Sequence, residues 1–303
     1  MPGGPLRDEP KKGRICAVMV TYNPDSPLEQ NIRAVLPQVD KLIIVDNGSE
    51  LPIRAHIEAI ASSCAIQVIW NNENLGLATA LNIGIRSALG SDDFDWIATF
   101  DQDSRVAAGF RDAMLQAYLA CPYRESVGII GPHHVALTEN STAGSSHQEH
   151  DSFSEITAVM QSGTFLSTKA LRIYGLFDDS FFIDYVDFEL CLRIRKNGLR
   201  IIEAPNAIIA HRLGNPSRHT LFGKPFTVCN HSALRRYYAA RNRFRIYSRY
   251  LFSDFAWICH DVWSWFKEIV KLALFEENRL KKLAYMARGG WDALRGRHGM
   301  YAR

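Results

Sequence analysis

The stretch Asp95-Trp-Ile-Ala-Thr-Phe-Asp-Gln-Asp-Ser104 joins an apolar run to two carboxylates, Asp101 and Asp103, one residue apart. A short uninterrupted apolar run reads as a strand covered on both faces, and in extended chain residues two apart point to the same side. Two like charges held together at the end of a buried strand invite a cation. This junction places the chain among folds that carry chemistry on the carboxyl edge of a sheet.

Outward from that stretch, strand and helix signals alternate. Toward the N-terminus "ICAVMVTY", "KLIIVDNGS" and "IQVIWNN" read as strands, and "PLEQNIRAVLPQV", "IRAHIEAIASS" and "LATALNIGIRSAL" as the helices between them. This is the βαβ rhythm of a mostly parallel sheet with helices on both faces. In such sheets ligands bind just outside the carboxyl ends of the strands. Four polar segments meet that condition: Thr21–Pro24, Asp46–Ser49, Asn71–Gly76 and Asp101–Asp103. Turn-forming Asn, Asp and Gly explain any one of them; four on one rim point to a binding site.

Toward the C-terminus "VGIIGPHHVAL" reads as a strand and turn, and "ITAVMQSGTFLSTKAL" as a strand into a helix. "FFIDYVDFELCLRIRKNG" is an acid-rich helix start ended by Gly198, and "RIIEAPNAIIAHRLG" reads as strands meeting at His211. From about Ser232 the pattern is helical and basic, which sets a boundary near residue 225. The expected organisation is a disordered leader over 1–13, an α/β catalytic domain over 14–225, and a basic, aromatic-rich helical extension over 226–303.

Composition narrows the function classes. With 303 residues, 47% of them hydrophobic, the chain buries a sizeable core. Its six cysteines are scattered without a C-x-x-C pair, which indicates neither a zinc site nor a disulfide framework. The first residues, "MPGGPLRDEPKKGR", lack the apolar core of a signal peptide. Residues 1–192 hold 13 Lys+Arg against 25 Asp+Glu, whereas residues 193–303 hold 22 against 7. The acidic half suits a metal, and the basic half is expected to face an anion. No zinc-finger spacing or RNA-binding strand signature supports nucleic acid as that anion. The interleaving of basic residues with Trp257, Trp263, Trp265, Phe266 and Tyr285 suits an anionic membrane surface, although an ordinary basic face packed by core aromatics gives the same pattern. "FAWICHDVWSWFKEIVKLALF" carries too many charges to span a bilayer.

Taken in order, "VTYNP", "IIVDNGS", "NNENLGLATALNIGI", "FDQDS", "FFIDYVDFELCLR" and "YYAARN" resemble the family 2 inverting glycosyltransferases of the GT-A fold, and among them the bacterial rhamnosyltransferases. "KKLAYMARGGWDALRGRHG" is a weaker echo of the rhamnosyltransferases that add the second sugar in rhamnolipid synthesis. The resemblance implies a Rossmann-like mixed sheet flanked by helices, an Mg²⁺ or Mn²⁺ cofactor, a dTDP-L-rhamnose donor, and a glycolipid (mono-rhamnolipid) or lipid-linked saccharide acceptor. It also implies work at the inner face of the cytoplasmic membrane.

The resemblance assigns roles residue by residue. Asp103 is the metal-touching member of the D-x-D element, with Asp101 nearer the nucleoside, and His211 is a further candidate ligand. Magnesium favours this arrangement, because it binds one or two carboxylates and completes its shell with diphosphate oxygens and water. Thr21, Asn23, Asp46, Asn74, Gly76, Asn82 and Arg241 are expected to bind the donor. Where the family carries Glu-Asp-x-Asp-Leu, this chain has Val186-Asp187-Phe188-Glu189-Leu190. Asp187 is therefore the expected general base, and the loss of one carboxylate at Val186 leaves Asp184 to compensate. Asp184, Glu189 and Tyr237 are candidates for the acceptor site; first-turn acids also stabilise a helix N-terminus by charge alone. Arg235, Arg236 and Asn242 lie with Arg241 on one helical pattern suited to diphosphate oxygens. Two other classes fit parts of the pattern. A nucleotidyltransferase would need a Gly-rich basic loop where "TYNPDSPLEQ" stands, and a non-catalytic membrane-surface or nucleotide-sugar-binding protein would turn over no donor.

Overall fold

A computed structural model describes residues 13–25, 27–91, 93–136, 152–211, 217–221, 224–228 and 230–301. Apart from Gly13, the expected leader lies outside these residues. The first half alternates as the periodicity predicts: β1 (Ile15–Thr21), α1 (Leu28–Val35), β2 (Lys41–Asp46), α2 (Leu51–Cys64), β3 (Gln67–Trp70), α3 (Leu77–Ser91) and β4 (Trp96–Asp101). β3, β2, β1 and β4 lie side by side and all run parallel.

The residues of β1 are buried throughout, and their alternation divides them between two cores. Cys16, Val18 and Val20 pack with Leu81 and Ile85 of α3 on one face of the sheet; Ile15, Ala17 and Met19 pack with Ile32 of α1 and Ile57 of α2 on the other. Burial on both faces is why the strands read as apolar runs without alternation.

After β4 the sheet becomes mixed. The chain continues through β5 (Arg105–Val106), α4 (Phe110–Ala120), β6 (Val127–Ala136), β7 (Ser154–Ile156), β8 (Thr164–Ser167), α5 (Thr168–Tyr174), α6 (Val186–Lys196) and β9 (Arg200–His211). β8 lies antiparallel between β4 and β6, and β9 runs parallel to β6. β5 and β7 pair with opposite ends of β9. Residues 200–211, read above as several strands, form one strand whose pairing with β6 shifts register at Pro132/His133.

A hairpin, β10 (Ser217–Leu221) with β11 (Lys224–Val228), leads to three helices, α7 (Ala233–Tyr250), α8 (Phe255–Phe275) and α9 (Arg279–Leu294). Ser232 caps α7, its hydroxyl accepting from the Arg235 amide. These helices share the core of the sheet, since Ile246, Tyr250, Trp257 and Ile258 belong to the same buried cluster as Val186, Leu190 and Ile194 of α6. α7 and α9 pack so closely that a Cβ on Gly289 would sit 2.4 Å from the Tyr237 carbonyl oxygen. No helix among the described residues is long and apolar enough to cross a membrane.

Candidate active site

The four rim segments are knitted into one polar edge. Asn23, held at a positive φ of 42°, receives the Glu50 amide on its side-chain oxygen, while its own amide donates to Ser49 Oγ. Asn47 donates to Asn74 Oδ1 and accepts from Asn71 Nδ2 and the Leu75 amide. The Tyr22 amide donates to Gln102 Oε1, tying the loop after β1 to the D-x-D turn. Each bond satisfies a loop group that would otherwise be an orphan at a strand end.

At the centre of the edge, Asp101 and Asp103 are half-buried where β4 ends. The loop before β8 locks them in place. Ser162 Oγ accepts the Asp101 amide and shares a hydrogen bond with Ser104 Oγ, and the Gly163 amide donates to Thr99 O. Gln161 reaches across the same space, its Nε2 donating to Asp101 Oδ1. Its Oε1 is buried without a hydrogen-bond partner among the described residues.

Gln161 also connects to the expected base. Burial lifts the Asp187 carboxyl from 3.8 to about 6; the backbone amides of Phe188, Asp187 and Gln161 pull it down, and the neighbouring charge of Asp184 raises it further. Asp187 stands in the first turn of α6 and is half-buried, its Oδ1 accepting the Phe188 amide at 2.9 Å. A half-buried carboxylate that titrates near neutrality suits general base work. Gln161 thus lies between the D-x-D turn and Asp187. Sequence reading passed over it, and the available signal was a polar Gln-Ser pair interrupting the apolar run of "ITAVMQSGTF".

Several residues expected to contact ligand spend their polar atoms on the chain itself. Asp46 is 0% exposed and its carboxylate is fully used: Oδ1 accepts from Thr21 and Ser49 hydroxyls, Oδ2 from the Ser49 amide, and Arg54 stands 3.4 Å away. Thr21 and Asp46 therefore hold the rim together from inside. Asn82 spends both ends of its amide on the chain, donating to Phe177 O and Asp179 Oδ1 and accepting the Phe177 amide. Gly76 allows a close approach, but of the chain to itself. At φ +87° a Cβ would meet Phe182 O at 2.7 Å, beside the bond from the Leu77 amide to that same oxygen. Asn74 accepts the Gly76 amide within the same turn.

The acceptor candidates divide. Glu189 is buried against Arg193, four residues on, and accepts from the Tyr250 hydroxyl. Tyr237 is buried with its hydroxyl donating to Asp292 of α9. Arg241, 1% exposed, donates to Asn242 Oδ1 and Gly299 O and packs over Tyr237 and Tyr238. All three, expected at ligand sites, hold contacts that secure the C-terminal helices. Asp184 is paired with Arg235 at 3.0 Å, and burial raises its carboxyl above the ordinary range. Asn242 is 0% exposed and holds backbone, and Arg236 pairs with Glu276.

The donor set at the D-x-D turn is all oxygen. No group of three or more His, Cys, Asp or Glu side chains that could cage a metal occurs among the described residues. His211 closes β9, and its side chain lies outside the described portion. Two carboxylates at a strand end fit an Mg²⁺ or Mn²⁺ ion that draws its remaining ligands from water and a diphosphate.

Comparison with known proteins agrees with this geometry. The family model described as glycosyl transferase family 2 matches residues 16–169. The chain is 29% identical over 251 residues to the dTDP-rhamnosyl transferase RfbF of Shigella flexneri, covering 76% of this chain and 78% of that protein. It is 24% identical over 184 residues to the pre-mycofactocin glycosyltransferase of Mycobacterium tuberculosis, spanning 56% of this chain and 37% of that one. Among solved structures, the mannosyltransferase PcManGT of Pyrobaculum calidifontis, in complex with GDP-Man and Mn²⁺, superposes with a TM-score of 0.56 at 16% identity over 93% of this chain and 75% of its own. GalNAc-T7 with UDP, GalNAc and Mn²⁺ gives 0.55 at 14% identity, over 78% of this chain and 50% of that one. The fold is thus GT-A-like, a mixed sheet flanked by helices with further helices at the C-terminus.

Proposed function

The chain belongs to glycosyl transferase family 2, and on that premise we propose that it transfers L-rhamnose from dTDP-L-rhamnose to a hydroxyl of a glycolipid acceptor, inverting the anomeric centre. The observation that carries the donor is the similarity to a dTDP-rhamnosyl transferase over three quarters of both chains. The acceptor reading favours a mono-rhamnolipid, on the short resemblance of residues 281–299.

The residues divide the work as follows. Asp187 accepts the proton of the acceptor hydroxyl as that oxygen attacks the anomeric carbon from the face opposite the diphosphate. The new carbon–oxygen bond forms as the bond to the diphosphate breaks, and the leaving dTDP carries away the electron pair. Asp101 and Asp103 would hold a divalent ion, which when bound neutralises charge on the leaving diphosphate. Gln161 keeps Asp101 in place, and its buried carbonyl oxygen, without a partner among the described residues, is left to meet a ligand. The rim from Asn23 to Asn74 forms the floor on which the nucleoside rests.

α8 supports a peripheral position on the inner face of an anionic membrane. Phe255, Cys259, Val262, Trp263, Phe266, Val270 and Leu274 fall on one helical stripe, every one of them exposed, while Trp257, Ile258, Asp261 and Leu272 face the protein. Lys267 and Lys271 flank the stripe, as suits a helix lying in a headgroup layer.

A donor panel tests the reading. With Mg²⁺ and a mono-rhamnolipid, dTDP-L-rhamnose should be consumed far faster than UDP-glucose or GDP-mannose. Turnover restricted to a UDP or GDP sugar would overturn the donor, and turnover of dTDP-L-rhamnose only with a lipid-linked saccharide would move the acceptor to polysaccharide assembly.

A further inference from the structure

The segment ahead of the base has an unusual backbone. Asp184 (φ 61°) and Tyr185 (φ 65°) are consecutive non-glycine residues in the left-handed region, immediately before Val186 opens α6. Each such residue costs on the order of 1–3 kcal/mol and persists only where its surroundings overdetermine it. Nearly all the groups that hold this pair come from the C-terminal helices.

The side-chain amide of Asn242, in the middle of α7, donates to both Ile183 O at 2.8 Å and Asp184 O at 2.9 Å. Arg235 of α7 takes Asp184 Oδ1. The Tyr185 hydroxyl donates to Asp261 Oδ1 of α8 at 2.8 Å, and Asp261 is fixed in turn by Arg243 and the Tyr247 hydroxyl of α7. The Arg243 guanidinium lies 4.9 Å over the Tyr185 ring. On the far side of the base, Glu189 accepts from Tyr250 of α7. Asp187 therefore hangs between two anchors, both attached to α7.

We propose that Asn242 is a positioning residue for the transfer reaction: by clamping the left-handed turn at Asp184 and Tyr185, it fixes the direction and burial of Asp187. On this account the helices after residue 226 form part of the catalytic apparatus in addition to carrying the exposed stripe of α8. The proposal rests on the assignment of Asp187 as the base. Its physical content is that one amide satisfies two successive carbonyls of the strained turn, so its loss takes the same donor from both. The ionisable groups bearing on Asp187 are Asp184 in the turn and Cys191 on α6, with Arg235 of α7 acting through Asp184.

The test compares full-length wild type, Asn242→Ala and Tyr185→Phe, with the Asp187 carboxyl followed by ¹³C NMR and assigned by its loss in Asp187→Asn. In Asn242→Ala the turn relaxes, water reaches the carboxylate, and its titration moves from about 6 toward the ordinary aspartate value of about 4. Acceptor-dependent kcat falls about 100-fold while donor KM stays within about twofold, because small misplacement of a reacting group is costly to the chemical step and not to donor binding. Tyr185→Phe deletes one hydroxyl and shows the same changes at about fivefold, and it carries the test if the alanine variant fails to fold. A titration of Asp187 and a kcat that stay at wild-type values in a folded variant overturn the proposal. The NMR arm needs no donor, so an inactive wild type would refute the rhamnosyl reading while the titration alone still decides the role of Asn242.

Discussion

Asp187 is raised to about 6 chiefly by burial, which couples catalysis to stability with opposite signs. The base must be ionised to work, so kcat/KM should rise through an acidic limb near pH 6 and flatten above it. For stability, folded and unfolded chains are both protonated below about 3.8. Between there and about 6 the unfolded chain ionises first, so the fold loses stability across that window and does not regain it above. Asp187→Asn should therefore abolish transfer yet raise stability at pH 8 by about 1–3 kcal/mol, a gain that shrinks to nothing near pH 4. Urea unfolding at the two pH values checks this. Glu189, by contrast, holds structure: Glu189→Gln breaks a buried ion pair with Arg193 and should cost about 3 kcal/mol with donor KM unchanged. Gly76→Ala forces a Cβ into the Phe182 carbonyl at positive φ and should cost about 2 kcal/mol or more, read in the same unfolding assay.

At the scale of elements, the β–α alternation and the position of the D-x-D turn were legible because strands buried on both faces leave uninterrupted apolar runs, and a polar edge must follow them. The proposed base, Asp187, was singled out only through the resemblance of residues 186–190 to the family's pattern of acids. What sequence could not separate is a polar residue that meets a ligand from one that satisfies its own chain. Asn82, Asp46 and Tyr237 have the right types at the right spacing, and only the packing of the segment after α5, the rim and α9 around them reveals that they already hydrogen-bond within the chain. Gln161 was hidden for the opposite reason, since its value arises from β8 folding back against β4, a pairing between residues some sixty apart. The close contact of α7 with α9 yields a prediction at this scale. Gly289→Ala should loosen that helix pair and lower the thermal midpoint by several degrees, because its methyl group would strike backbone. The α8 stripe yields another: Trp263→Glu with Phe266→Glu should abolish co-sedimentation with vesicles containing anionic lipid and leave turnover of a detergent-dispersed acceptor within about twofold.

For the whole molecule, the acidic first part and basic last part are joined by ion pairs, Arg235 with Asp184 and Arg249 with Asp178. The positive charge was expected to face an external anion, but Arg236, Arg241 and Arg243 are buried and answered by Glu276, the Gly299 carbonyl and Asp261. Much of the asymmetry therefore binds the C-terminal helices to one another and to the turn that carries the base. On α8, Lys267 lies over the exposed Trp263 and Lys271 over Phe226 of β11. The most direct measurement of the central claim is acceptor-dependent release of dTDP from dTDP-L-rhamnose by wild type and by Asp187→Asn, each with Mg²⁺ and a mono-rhamnolipid. Wild type should release dTDP in step with formation of the rhamnosylated lipid, and the variant at least about 1000-fold more slowly. Release at equal rates in both proteins would contradict that claim.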